Sequence, residues 1–104
     1  MASKNPWQTS EEARSLVVRS DDGSLYVFPF VTLDHAVFFG GTLTISFGAG
    51  IVSVTLESDE IVPRHLIEDV GEFRISFLEH KPDEGLLVHV DLKQEDEDAP
   101  AEVG

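Results

Sequence analysis

Histidine side chains are the first candidates for chemistry in this sequence, because neutral imidazole is a common metal ligand. The chain has four: His35, His65, His80 and His89. His89 and Asp91 have the i, i+2 spacing that places two side chains on one face of a β-strand. The zinc-binding patterns H-x-x-x-H and H-E-x-x-H do not occur in the sequence, and it contains no cysteine. The sequence therefore predicts solvated surface histidines, with no metal site and no other cofactor.

Acidic side chains offer many pairs for general acid–base catalysis, for example Glu68 with Asp69. A catalytic carboxyl group needs a desolvated cleft that shifts its pKa, whereas this pair lies on a predicted helix. The sequence has no G-x-S-x-G elbow for a serine nucleophile. The glycine-rich stretches 40–41 and 48–50 lie between predicted strands, so they predict turns and not a phosphate-binding loop. We therefore predict no catalytic residues and no enzyme activity.

The charge balance limits the classes of partner. Twenty acidic residues face seven basic ones, which gives a net charge of −13. Binding to nucleic acid or to an acidic membrane needs clustered Lys and Arg, whereas here the basic residues are spread from Lys4 to Lys93. An acidic mimic of nucleic acid, which occupies the basic groove of a DNA- or RNA-binding protein, is one alternative explanation of the charge. Adaptation to high salt is another.

The sequence contains no segment that predicts export or membrane insertion. Residues 1–15 lack the apolar stretch of a secretory signal, and no run approaches the roughly 18 apolar residues of a membrane-spanning helix. The absence of cysteine is compatible with a reducing compartment. We predict a cytoplasmic protein.

The elements that position these side chains belong to one domain. A chain of 104 residues fits a single core, which we place at residues 13–92. Residues 1–12 are mostly polar and predict a flexible N-terminal arm. Residues 93–104 combine a block of acidic residues with few apolar ones and predict a disordered acidic tail.

Alternating apolar residues predict five strands in the first half of the chain. Two of them, at residues 14–20 and 25–33, flank an Asp-Gly turn. Three more, at residues 36–39, 42–47 and 51–58, are separated by Gly40-Gly41 and by the glycine-rich stretch 48–50. The last two strands each present one apolar face, so we expect them to pair.

The second half of the chain predicts a short helix followed by a hairpin. Apolar residues recur every four positions within residues 59–70, and Gly71 is well placed to end a helix. Residues 73–80 and 86–92 again alternate, and one allowed register of the hairpin places Arg74 opposite Asp91 and Ser76 opposite His89. The predicted fold is α+β and mainly β: an antiparallel meander forming a small barrel or strongly bent sheet, with one short helix (about 59–70) before a C-terminal β-hairpin.

The strand predicted at residues 25–33 is apolar on both faces. Leu25, Val27 and Pro29 point one way, while Tyr26, Phe28 and Phe30 point the other. The aromatic face is covered either by the helix or by another chain, and one short helix provides little cover for it.

These patterns predict a small, non-enzymatic interaction module that self-associates through Tyr26, Phe28 and Phe30. The expected partner is a second copy in a homodimer, and a basic protein is a further candidate partner. The nucleic-acid mimic remains the alternative function, and a small-ligand-binding barrel is a further alternative.

Overall fold

The computed structural model describes residues 6–93 of the chain. Residues 1–5 of the predicted arm and, apart from Lys93, the predicted acidic tail lie outside the described residues. The prediction of a mainly β protein with one helix is confirmed for the part that is described. The elements are β1 (Gln8–Thr9), β2 (Ser15–Arg19), β3 (Leu25–Pro29), β4 (Leu33–Phe39), β5 (Thr42–Phe47), β6 (Gly50–Leu56), α1 (Pro63–Gly71), β7 (Ile75–Glu79) and β8 (Leu86–Leu92).

The strands form two four-stranded sheets instead of the predicted barrel or bent sheet. Sheet A has the order β1-β7-β2-β3, and sheet B has the order β4-β5-β6-β8. Neighbouring strands are antiparallel except for β2 and β7, which are parallel. The predicted pairing of β5 with β6 is confirmed.

The long strand predicted at residues 25–33 is interrupted in its middle. β3 ends at Pro29, a 3₁₀ turn covers Phe30–Thr32, and Leu33 begins β4 in the other sheet. Proline has no backbone N–H to donate to a ladder, so it favours the end of an edge strand. The Thr32 hydroxyl donates to the Pro29 carbonyl at 2.8 Å and holds the turn. The predicted meander is therefore divided between the two sheets at this position.

The predicted C-terminal hairpin is wrong, because its two strands lie in different sheets. β7 lies between β1 and β2 in sheet A, whereas β8 pairs with β6 in sheet B. Asp91 therefore lies opposite Ile51 and His89 opposite Ser53, in place of the predicted partners Arg74 and Ser76. The loop contains a 3₁₀ turn at Pro82–Glu84, which carries the chain from one sheet to the other. Pairing with β6 uses all seven residues of β8 and keeps the apolar faces of both strands inward.

The inner faces of the two sheets share one core. The Phe28 ring of sheet A stacks on the Phe47 ring of sheet B, with 4.8 Å between the ring centroids. The fully buried side chains come from both sheets and from α1. They include Leu16, Val18, Leu43, Ile45, Val52, Val54, Leu66, Ile75, Leu78 and Val88.

The helix spans Pro63–Gly71, which overlaps the predicted range of about 59–70. Pro63 is its first residue, where a missing N–H costs nothing because that group has no partner inside a helix. Leu66 and Val70 are buried by its packing. The left-handed residue after the helix is Phe73, with φ of 56°, and not Gly71, which is still helical.

Part of the predicted N-terminal arm is built into the fold. Trp7 is 5% exposed, and its indole Nε1–H donates to the Asp69 carboxylate at 2.8 Å. Gln8 and Thr9 pair with β7. Within the described residues, the ordered structure therefore begins before Ala13, because the aromatic side chain of Trp7 anchors this segment on α1.

Candidate functional site

The predicted interaction face of Tyr26, Phe28 and Phe30 lies inside the molecule. Phe28 is 2% exposed and Phe30 is 5% exposed, while Tyr26 is half-buried. Phe47 of sheet B lies against both Phe28 and Phe30, and Phe73, which follows the helix, lies against Phe30. The prediction treated all strands as one sheet, so it missed the second sheet as a source of cover. Phe28 and Phe30 are therefore core residues, and Tyr26 packs against the core.

The opposite face of β3 is the exposed one. Val27 is 62% exposed, and it lies beside the half-buried Val17 of β2, which in turn lies beside Phe77 of β7. Arg19 and Glu79 form an ion pair at 3.3 Å on the same face. We call this surface the outer face of sheet A.

A second exposed apolar surface lies on β4, the edge strand of sheet B. Phe39 is 83% exposed and Val37 is 53% exposed. The two-residue turn Gly40-Gly41 joins β4 to β5, as predicted, and both glycines have positive φ, at 64° and 83°. This turn places Phe39 opposite Thr42 and fixes the register of the hairpin.

The register determines which backbone groups of β4 are satisfied. In a two-residue hairpin the flanking residues exchange hydrogen bonds, and every second pair beyond them does the same. His35, Val37 and Phe39 therefore use their N–H and C=O groups toward β5. In the regular part of the strand, the backbone groups of Ala36 and Phe38 point away from β5. Within residues 6–93 they have no backbone partner outside the sheet, and we call this row the open β4 edge.

The other edge of sheet B is closed. The Val88 N–H of β8 donates to His80 Nδ1 at 3.0 Å, and the Val90 N–H donates to the Ser20 hydroxyl at 3.2 Å. Lys81 and Leu86 exchange backbone hydrogen bonds at 2.7 and 3.0 Å. Sheet B therefore offers unpaired backbone groups at β4, whereas the outward N–H groups of Leu86, Val88 and Val90 in β8 all have partners.

A shallow apolar groove lies between β4 and the helix. It has a volume of about 350 Å³, and its lining is apolar: Leu33, Ala36, Phe38, Leu43, Ile67, Val70 and Gly71. Ala36 and Phe38 contribute both to this lining and to the open β4 edge. An extended chain that pairs with β4 would therefore place alternate side chains in the groove.

Comparisons with known proteins give no family. No family model, no curated protein and no solved structure matches the chain. Any functional assignment therefore depends on the geometry of the described residues.

The histidines are dispersed over the surface. His89 Nδ1 lies 3.2 Å from the Asp21 carboxylate, which belongs to the turn between β2 and β3. The Ser20 hydroxyl, followed by His89, holds the pKa of Asp21 below its usual value. His80 accepts the backbone hydrogen bond that closes β8. Among residues 6–93, no group of three or more His, Cys, Asp or Glu side chains is arranged to hold a metal ion.

Carboxylates are concentrated around one wide cleft. Glu57, Glu60, Asp83 and Glu84 contribute to its lining, together with His65, and its volume is about 840 Å³. Glu68 and Asp69, the carboxylates considered for acid–base catalysis, lie outside this cleft. Glu68 forms an ion pair with Arg64 at 3.4 Å, and Asp69 accepts the hydrogen bond from Trp7. These contacts stabilise α1 and its attachment to the N-terminal segment.

In the region that the structure covers, no helix has the length and apolar character needed to cross a membrane.

Sequence reasoning missed the open β4 edge as a site. The available signal was the stretch Ala36-Val37-Phe38-Phe39, which is apolar on both faces of a strand. The strand predicted at residues 25–33 has the same two apolar faces, and periodicity alone does not indicate which strand lies at the edge of a sheet.

Proposed function

We propose that this protein is a non-enzymatic interaction module that associates with another protein chain through the open β4 edge. The observation that carries the proposal is the contrast between the two edges of sheet B. β8 is closed by Ser20 and His80, whereas β4 offers free backbone groups beside the exposed side chains of Val37 and Phe39.

An unpaired edge strand can pair with a strand of another chain and cause aggregation, and proteins usually prevent this pairing with charged residues, proline or a bulge. The first half of β4 follows this rule, since Asp34 and His35 are charged or polar and the register shifts between Leu33 and His35. The second half does not, because Ala36 to Phe39 is apolar and regularly paired with β5. Such a segment is expected to be covered by another strand in the working state of the protein.

The proposal can be tested by site-specific photo-crosslinking in the native host. Phe39 is replaced by benzoylphenylalanine, which extends the phenylalanine ring by a benzoyl group and reacts with protein C–H bonds on irradiation; at 83% exposure this position has room for the larger side chain. Phe73 serves as the matched control, because it is an exposed phenylalanine outside β4, at 45% exposure.

We expect protein adducts from position 39 and few from position 73. An adduct with a second copy and an adduct with a different protein both support an interaction module. Position 39 forming no protein adduct, or no more than position 73, would contradict the proposal.

A further inference from the structure

The open β4 edge has backbone groups and side chains that match the same strand of a second copy. We propose that two copies associate antiparallel through β4 about a two-fold axis, with Val37 of one copy opposite Val37 of the other. This inference rests on the proposed function and names the partner. Sheet B then continues across the axis from one copy into the other.

The register follows from which backbone groups are free. In the regular part of β4 only Ala36 and Phe38 present N–H and C=O groups to the edge, so the hydrogen-bonded pairs across the axis must join these two residues. When Val37 lies on the axis, Ala36 of each copy exchanges backbone hydrogen bonds with Phe38 of the other. The pairing covers His35 to Phe39, where β4 is regularly paired with β5, and excludes Leu33 and Asp34 at the register shift.

The side chains agree with this register. On the inner side, the small Ala36 meets the large Phe38 of the second copy, which can enter the groove beside Ile67. On the outer side, Val37 meets Val37, and the exposed ring of Phe39 lies against His35 of the second copy. The neighbouring register, centred on Ala36, would instead place the Asp34 carboxylate opposite a phenylalanine ring.

Electrostatic repulsion is the main contribution that opposes self-association, since each copy carries a net charge of −13. Within β4 the single carboxylate is Asp34. In the proposed register the two Asp34 residues are separated by six strand positions, which is about 20 Å. That distance exceeds the Debye length of about 8 Å at physiological salt, so their repulsion is largely screened. Two copies can therefore meet at β4 without bringing acidic side chains together, and the contact should strengthen as salt is added.

The outer face of sheet A is the competing surface for self-association, and a matched pair of cysteine variants separates the two. The natural chain has no cysteine, so Val37→Cys and Val27→Cys each introduce a single thiol. Val37 and Val27 are both exposed strand valines, at 53% and 62%. Residues opposite each other in a non-hydrogen-bonded pair have Cα atoms about 4.5 Å apart, which lies within the range that a disulfide spans, about 4.4–6.8 Å.

On mild oxidation of the purified full-length chain, Val37→Cys should form a disulfide-linked dimer at least about tenfold faster than Val27→Cys, because pairing raises the effective thiol concentration. The rate should increase with salt. Circular dichroism of both reduced variants checks that the fold is retained. Equal rates, or faster linkage of Val27→Cys, would overturn the proposed pairing.

A charge-exchange experiment tests the register without a covalent bond. Val37→Lys and Val37→Glu should each be monomeric by light scattering, because like charges then face each other across the axis. An equimolar mixture should recover the dimer. If the mixture stays monomeric while the wild type is dimeric, position 37 is not at the axis and the register is wrong.

The crosslinking experiment separates the two proposals. Adducts from position 39 to other proteins only, together with slow linkage of Val37→Cys, would leave the interaction module standing and remove the β4 homodimer.

Discussion

Replacing Phe28 by alanine tests the assignment of the aromatic face to the core. The Phe28 ring is 2% exposed and stacks on Phe47 across the two sheets at 4.8 Å. Removing a buried phenylalanine side chain costs about 3–5 kcal/mol of the free energy of unfolding, which includes the cavity left behind. A domain of this size has about 5–15 kcal/mol in total, so the variant should fold but be strongly destabilised.

Val27→Ala is the matched control, because Val27 is the adjacent residue on the same strand and points to the exposed face. Surface substitutions of this kind usually change the free energy of unfolding by no more than about 0.5 kcal/mol. The two neighbouring positions should therefore differ by several kcal/mol.

Urea unfolding followed by the fluorescence of Trp7 measures both variants, since Trp7 is the single tryptophan and is buried. With a loss of about 4 kcal/mol and a slope of about 2 kcal/mol per M, the midpoint of Phe28→Ala should fall by roughly 2 M. Equal midpoints for the two variants would refute the core assignment. A Phe28→Ala variant of normal stability that only lost self-association would restore the face predicted from sequence.

Two further substitutions test local features of the fold. Gly85→Ala should lower the thermal unfolding temperature more than Gly23→Ala. Both glycines have positive φ, but only at Gly85 would an added Cβ meet the Ser58 side chain, at 2.5 Å. Equal decreases in the unfolding temperature would mean that backbone strain alone matters. Ser20→Ala should raise the pKa of Asp21 toward its usual value of 3.8, measured by NMR titration, because the Ser20 hydroxyl donates to this carboxylate. Because the pKa of Asp21 is lowered in the folded state, its ionised form adds to the free energy of unfolding above pH 3.8, and this contribution is lost as the pH falls through the folded pKa. The difference in free energy of unfolding between the wild type and Ser20→Ala should therefore be larger at neutral pH than in acid below that pKa. An unchanged pKa of Asp21 would show that His89 is sufficient to lower it.

Local patterns in the sequence predicted local structure well. The Gly40-Gly41 turn and the pairing of β5 with β6 depend on residues close in sequence, and both are present. Alternation also assigned Leu43, Ile45 and Val54 to the core, where they are buried.

The arrangement of the sheets could not be predicted in the same way. The parallel pairing of β2 with β7 joins segments far apart in sequence, and periodicity specifies which face of a strand is buried but not which strand lies beside it. Pro29 favours an edge strand or a bulge, but a proline alone does not predict that the chain passes from one sheet to the other at that position. The identity of the exposed edge, and therefore of the candidate site, depended on that division.

The place of β7 in sheet A has a consequence for synthesis of the chain. β4, β5 and β6 are consecutive and antiparallel, so they can pair as soon as they leave the ribosome. β2 can pair with β3 at once, but β1 and the other side of β2 must wait for β7. The hydrogen bond between Trp7 and Asp69 likewise joins residues 62 positions apart. Long-range pairing of this kind slows folding, because a large loop must close first. During that interval the apolar side chains of β2 remain exposed on the nascent chain, so a chaperone that binds apolar strands would meet this protein at its N-terminal third.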